Sequence, residues 1–81
     1  MTRSEIERKL IDIIKQEKEV ASGQLTPETA LADAGIDSLD SLTILFAIEE
    51  EFRISIPDDQ ARGIRTFGDM IGVVQELTGA A

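Results

Sequence analysis

The chain of 81 residues contains no cysteine, no histidine, no tryptophan and no tyrosine. Each absence removes a class of chemistry. Without thiols there are neither disulfide staples nor thiolate metal sites. Without imidazole the commonest general base and the usual partner of a nucleophilic serine are missing, so no catalytic residues are expected. The aromatic residues Phe46, Phe52 and Phe67 are too few to build stacking platforms for nucleic acid. Positive charge is also scarce: 8 Lys and Arg face 16 Asp and Glu, a net charge of −8. Such a chain repels polyanions and anionic membranes and favours a partner with a basic patch. Residues 1–20 alternate charged and apolar positions, and no apolar run approaches membrane-spanning length. The expectation is a cytoplasmic monomer, one domain over residues 1–81, with a simple architecture.

The negative charge is concentrated. Residues 1–32 carry six acids and five bases, and the last 22 residues balance two against two. Residues 33–59 hold eight acids (Asp33, Asp37, Asp40, Glu49, Glu50, Glu51, Asp58 and Asp59) against Arg53 alone. A charge run is ordinarily a solvated face. This one surrounds a single serine, Ser38, in the stretch GIDSLDSLTILFAIEEEF.

Helical periodicity appears four times, so the expected fold is all-α, a small four-helix bundle of three longer helices and one short one. Ile6, Leu10, Ile13 and Ile14 predict a first helix over about 3–18, started by a capping box at Thr2/Glu5 or Ser4/Glu7. A long first loop follows, rich in Gly, Pro and Thr, with Leu25 and Leu31 to pin it to the core. The second helix is expected from Ser38 to about Phe52, with Asp37 as N-cap and Asp40 completing its capping box. Pro57 fits the first position of a short helix that Gly63 stops. Thr66 and Asp69 begin the last helix, with inner face Phe67, Met70, Ile71, Val74 and Leu77, and Gly79 beyond its end. Gly68 and Gly72 inside it each cost up to about 1 kcal/mol against alanine, which should make it the softest of the four.

The second helix has two apolar stripes. At about 100° per residue, Ile44, Leu45, Ile48 and Phe52 form a core-facing arc. Leu39, Leu42 and Phe46 form another, beside Ser38 and bordered by Glu49 and Glu50. Such a helix is either enclosed on both sides or offers one as a docking surface. Ser38 has an ordinary explanation, since serine caps helix starts. A phosphate ester on it would also meet unpaired N–H groups and the positive end of the helix dipole. Asp37 and Asp40 could help bind a divalent metal holding a phosphate donor. The serine is placed to be modified, not to catalyse.

These residues resemble the acyl carrier protein family. The matching stretches are Gly35-Ile36-Asp37-Ser38-Leu39-Asp40, then Leu42, Ile44, Ile48, Glu49-Glu50-Glu51-Phe52, and Ile54-x-Ile56-Pro57-Asp58. Leu25-Thr26-Pro27-Glu28-Thr29-x-Leu31-x-Asp33 fits the family's long first loop, so the likeness covers essentially the whole chain. The resemblance implies a non-catalytic carrier with 4′-phosphopantetheine on Ser38, delivered from coenzyme A by a phosphopantetheinyl transferase, with Asp37 at the metal of that step. It implies acyl thioesters carried between enzymes of fatty-acid, specialised lipid or polyketide-type biosynthesis. Those enzymes would dock basic patches on Asp40, Glu49 and Glu50, with Leu39, Leu42 and Phe46 as the apolar contact. It implies an acyl pocket lined by Leu45, Ile48, Ile56, Ala61 and Ile64.

The chain also departs from the family pattern. Thr43 stands where another glutamate is usual, and Phe46 replaces a frequent methionine. Ala30 and Ala34 replace bulkier apolar residues of the loop. These differences favour a specialised carrier as much as a housekeeping one. An aminoacyl or peptidyl carrier would share the modified serine, and an unmodified acidic helical adaptor is a reading from another class. A calcium loop is excluded in both frames, because Asp33 leads to Ser38 and Ile44 where Gly and Glu are required, and Asp58 leads to Gln60 and Arg62.

Overall fold

A computed structural model describes residues 2–18 and 25–79. Its four α-helices are α1 (Arg3–Glu17), α2 (Ser38–Phe52), α3 (Asp58–Arg62) and α4 (Phe67–Thr78). The first part of the expected long loop, residues 19–24, lies outside the described residues. Among the described residues the β structure is one isolated bridge, Ala30 to Thr66.

Each long helix begins at a reciprocal capping box. At α1 the chain uses Thr2 and Glu5 rather than Ser4 and Glu7: Glu5 N–H donates to Thr2 Oγ1 at 3.2 Å. At α2 the N–H of Asp40 donates to Asp37 Oδ1 at 2.8 Å, and Asp37 N–H donates back to Asp40 Oδ2 at 3.3 Å. At α4 the N–H of Asp69 donates to Thr66 Oγ1, and Asp69 Oδ2 accepts from the N–H groups of both Arg65 and Thr66 at 3.1 Å. These backbone donors, that of Arg65 foremost, hold the Asp69 carboxyl below the usual carboxylate range. Pro57 departs slightly from expectation. Its ψ of 148° is extended, so it is the N-cap of α3 and helical geometry begins at Asp58. The end of α2 carried no glycine signal, and Arg53 closes it in the left-handed region at φ 56°.

The core joins Ile6, Leu10, Ile13 and Ile14 of α1 to Ile44, Ile48 and Phe52 of α2, and to Phe67, Met70, Ile71 and Val74 of α4. Leu77, expected on the same inner face, is only half-buried. Leu25, Leu31 and Ile36 are buried with this cluster and pin the connection, as its apolar residues suggested. The four-residue 3-10 turn at Leu31–Ala34 was too short for periodicity to show. Gly35 ends it at φ 82°, a backbone region that favours glycine.

Three backbone hydrogen bonds lace this connection to the start of α4: Leu31 N–H to Arg65 O, Phe67 N–H to Thr29 O and Gly68 N–H to Pro27 O, all at 2.9 Å. The lacing separates the two glycines of α4, which helix propensity alone treats alike. A Cβ on Gly68 would lie 2.7 Å from Pro27 O, whereas a Cβ on Gly72 would meet nothing within 4 Å. Gly72→Ala should therefore stabilise the fold by about 0.5–1 kcal/mol. Gly68→Ala should destabilise it by about 1–3 kcal/mol as the loop is pushed off the helix. Urea melts of the two variants check this, and two shifts of the same sign would refute the packing role of Gly68.

Candidate functional site

The site grows from the start of α2. Because Asp37 performs the capping, the Ser38 hydroxyl is not needed by the helix, and Ser38 is exposed. The N–H of Asp40 is taken by Asp37 Oδ1, and that of Ser41 by Asp37 O at 2.9 Å. Among the described residues no acceptor engages the N–H groups of Ser38 and Leu39. Two first-turn donors and an exposed hydroxyl thus converge on one corner at the positive end of a four-turn helix. That donor set suits a phosphate ester.

Asp40 has more to do than capping. Lys18 Nζ lies 3.1 Å from its Oδ2, and this ammonium is the main cause that holds the Asp40 carboxyl below its ordinary range. Among the described residues no three His, Cys, Asp or Glu side chains group as metal ligands. A cation at Asp37 would therefore have to complete its shell from a donor molecule or a partner.

The two stripes of α2 have different fates. Ile44 and Ile48 are fully buried, whereas Leu39, Leu42 and Phe46 are exposed by 75%, 51% and 65%. The second stripe is therefore surface. It forms an apolar patch beside Ser38 with Glu50 exposed at its edge. Thr43 donates its hydroxyl back to Leu39 O at 3.2 Å.

Glu49 and Glu50 were expected to act together, and the structure separates them. Glu49 is half-buried, and its Oε2 accepts the N–H of Ile56 at 2.8 Å, tying the end of α2 to the chain that enters α3. Sequence spacing gave no sign of this clamp, because Ile56 lies beyond the helix in an irregular segment.

A groove of about 590 Å³ opens beside Ser38. Its apolar walls are Ala30, Leu31, Ile36, Leu42, Leu45 and Ile64, and Asp37, Ser38, Ser41 and Arg65 stand along it. Of the five residues expected to line an acyl pocket, Leu45 and Ile64 border this groove. Ile48 is enclosed in the core, and Ile56 and Ala61 are half-buried away from the groove lining. The loop residues and Arg65 were missed because they reach the site through the lacing of the connection to α4. The small side chain of Ala30 was the one available signal.

An all-helical chain with an exposed serine at a capped helix start, beside an apolar patch and an apolar groove, has the form of a carrier domain. Comparison with known proteins agrees. The family model for the phosphopantetheine attachment site matches residues 8–74. An acyl carrier protein of Porphyromonas gingivalis is 40% identical over 74 residues, covering 90% of this chain and 95% of that protein. One from a Picosynechococcus species is 40% identical over 77 residues, covering 94% and 95%. The structure of the acyl carrier protein from Enterococcus faecalis superimposes with a TM-score of 0.80 at 27% identity, covering 95% of this chain and 99% of that one. The chain belongs to the acyl carrier protein family, whose members are non-catalytic carriers bearing phosphopantetheine.

The division between the glutamates is testable. Glu49→Ala leaves the part-buried Ile56 N–H without its acceptor and should cost about 1–3 kcal/mol. Glu50→Ala, an exposed change, should stay within about 0.5 kcal/mol of the parent. Chemical denaturation decides, and equal stabilities would mean that the Glu49 contact carries no net energy.

Proposed function

We propose that Ser38 is the attachment residue and that the patch of Leu39, Leu42 and Phe46 is where partner enzymes dock. One observation carries the reading: an exposed serine on a helix whose capping is done by its neighbour, with that patch on the same side. In the transfer reaction Ser38 Oγ attacks the phosphorus of coenzyme A that bears the pantetheine. The phosphorus–oxygen bond to the adenosine bisphosphate breaks, and that bisphosphate leaves. The serine proton passes to a base of the transferase, since this chain has no histidine. Asp37 Oδ1 is engaged by the helix, so Oδ2 is the oxygen with which Asp37 would help hold a divalent ion, which would supply charge stabilisation to the transferred phosphate. The attached arm supplies a thiol that carries acyl groups as thioesters. The protein's own residues present the attachment point, keep the helix start rigid, and offer an apolar contact with an acidic rim.

The charge distribution supports enzymes with basic docking patches as partners, with steering by residues 33–59. Because Glu49 is held by Ile56, Glu50 is the acid best placed to contribute without a structural cost. The family's work supports a cytoplasmic carrier with residues 1–81 as one domain; among the described residues no helix is long and apolar enough to cross a membrane.

Incubation with coenzyme A, magnesium and a broad-specificity transferase should add the mass of one phosphopantetheine, and Ser38→Ala should add none while keeping its helical circular dichroism. Modification of the alanine variant would overturn the assignment. Leu42→Ala with Phe46→Ala should slow transfer at least tenfold without loss of stability, and unchanged kinetics would remove the docking role of the patch.

The groove supports shelter for the first carbons of a cargo, since Leu45 and Ile64 lie at its wall and Ile48 lies behind. Burial yields at most about 0.8 kcal/mol per CH₂, and a longer chain must part the packed core. Melting temperatures of the holo protein should rise with acyl length over several carbons and then level off. Ala30→Leu, which narrows the groove, should bring the plateau to shorter chains, whereas Ala61→Leu should not. A flat series would show that the cargo stays outside.

A further inference from the structure

We propose that Arg65 is a positioning residue that holds the phosphodiester of the arm. The inference rests on Ser38 as the attachment point. Three observations carry it.

First, Arg65 lines the same groove as Asp37 and Ser38, and among the described residues it is the one cation in that lining. Second, its backbone is fixed at both ends. The N–H donates to Asp69 Oδ2 at 3.1 Å, the carbonyl accepts from Leu31 N–H at 2.9 Å, and the next residue, Thr66, is bridged to Ala30. The side chain therefore swings from a stationary root. Third, its guanidinium is in no ion pair among the described residues, although the Asp69 carboxylate is near enough to feel its charge. The ion pairs among the described residues are Lys9 with Glu51 and Lys18 with Asp40, and neither uses Arg65.

Attachment at Ser38 adds a negative phosphodiester to a stretch that already holds eight acids against Arg53. Like charges so placed repel unless a cation is close. Lys18 is occupied by Asp40 in the first turn of the same helix. Arg65 stands along the groove outside either ion pair, with Asp69 as its neighbouring carboxylate, and a guanidinium matches two phosphate oxygens with its planar fork. The phosphodiester is then held from two sides, by the N–H groups of Ser38 and Leu39 and by Arg65. The arm leaves Ser38 toward the groove of Leu45 and Ile64, and Leu39 and Phe46, which are outside the groove lining, stay uncovered for partners.

The test compares apo and holo forms of the parent, Arg65→Gln, Arg65→Lys and the control Arg62→Gln, an exposed cation of α3 outside the groove lining. Intact mass first establishes that each holo form carries the arm on Ser38, and failure of the parent to be modified would overturn both the attachment and the role of Arg65. With the arm in place, apo parent and apo Arg65→Gln should melt together. Holo Arg65→Gln should melt about 2–5 °C below holo parent, the size expected of one exposed ion pair in a domain of this length. Its phosphorus-31 resonance should move, Arg65→Lys should restore the melting temperature only in part, and Arg62→Gln should change neither. The difference should fade in about 1 M salt, where screening reaches about 3 Å. An equal loss in apo and holo forms would make Arg65 a fold residue only. An unmoved phosphorus resonance would place the guanidinium elsewhere. An effect that appears only after loading a cargo with a terminal carboxylate would assign Arg65 to the cargo and overturn the phosphodiester contact.

Discussion

The contact between the long connection and the first turn of α4 organises this molecule. Backbone groups of Pro27, Thr29 and Leu31 pair with those of Gly68, Phe67 and Arg65, so a segment without regular structure satisfies its polar groups and lies flat on a helix start. The approach is close enough to require the absence of a Cβ at Gly68. With the segment fixed there, Leu25, Leu31 and Ile36 can enter the core, and Asp37 reaches the start of α2 in the geometry that caps it. The same junction brings Arg65 from one end of the chain to the groove beside Ser38. Loosening it would disturb the core, the cap and the site together.

Helix α2 carries the remaining burden by dividing its surface. One stripe is buried in the core shared with α1 and α4, and the other is left to solvent as an apolar area with an acidic edge. The acids are not equivalent. Asp37 and Asp40 hold the helix start, Asp40 also neutralises Lys18, and Glu49 anchors the approach to α3. Charges that look like a uniform acidic rim are partly internal fasteners. Residues proposed for docking thus also hold the fold, and a substitution read only as a change in docking charge can act through the fold.

Much of this was legible from residue order because it depends on local rules. Apolar spacing located the three longer helices, and the capping pairs Asp37/Asp40 and Thr66/Asp69 set their starts within a residue. The same spacing isolated Leu39, Leu42 and Phe46 as a stripe of their own, although whether it faced the core or water required seeing what packs against it. The residues expected to line an acyl pocket occupy different places in the fold. Leu45 and Ile64 line the groove, but Ile48 is closed in, because the groove lies toward the connection.

The sequence by itself determined the all-α class, the position of Ser38 after a capping aspartate, the crowding of acids around it and the exclusion of serine–histidine catalysis. Those follow from periodicity, composition and contacts within a few residues. The tertiary structure alone decided which glycine of α4 is required, which glutamate is a clamp, where the groove opens and which cation lines it. Each of these joins residues far apart in the chain, Pro27 to Gly68, Glu49 to Ile56, and Arg65 to the groove beside Ser38. A backbone hydrogen bond or a wall of side chains leaves no periodic trace in residue order, so such pairings exist only once the chain has folded.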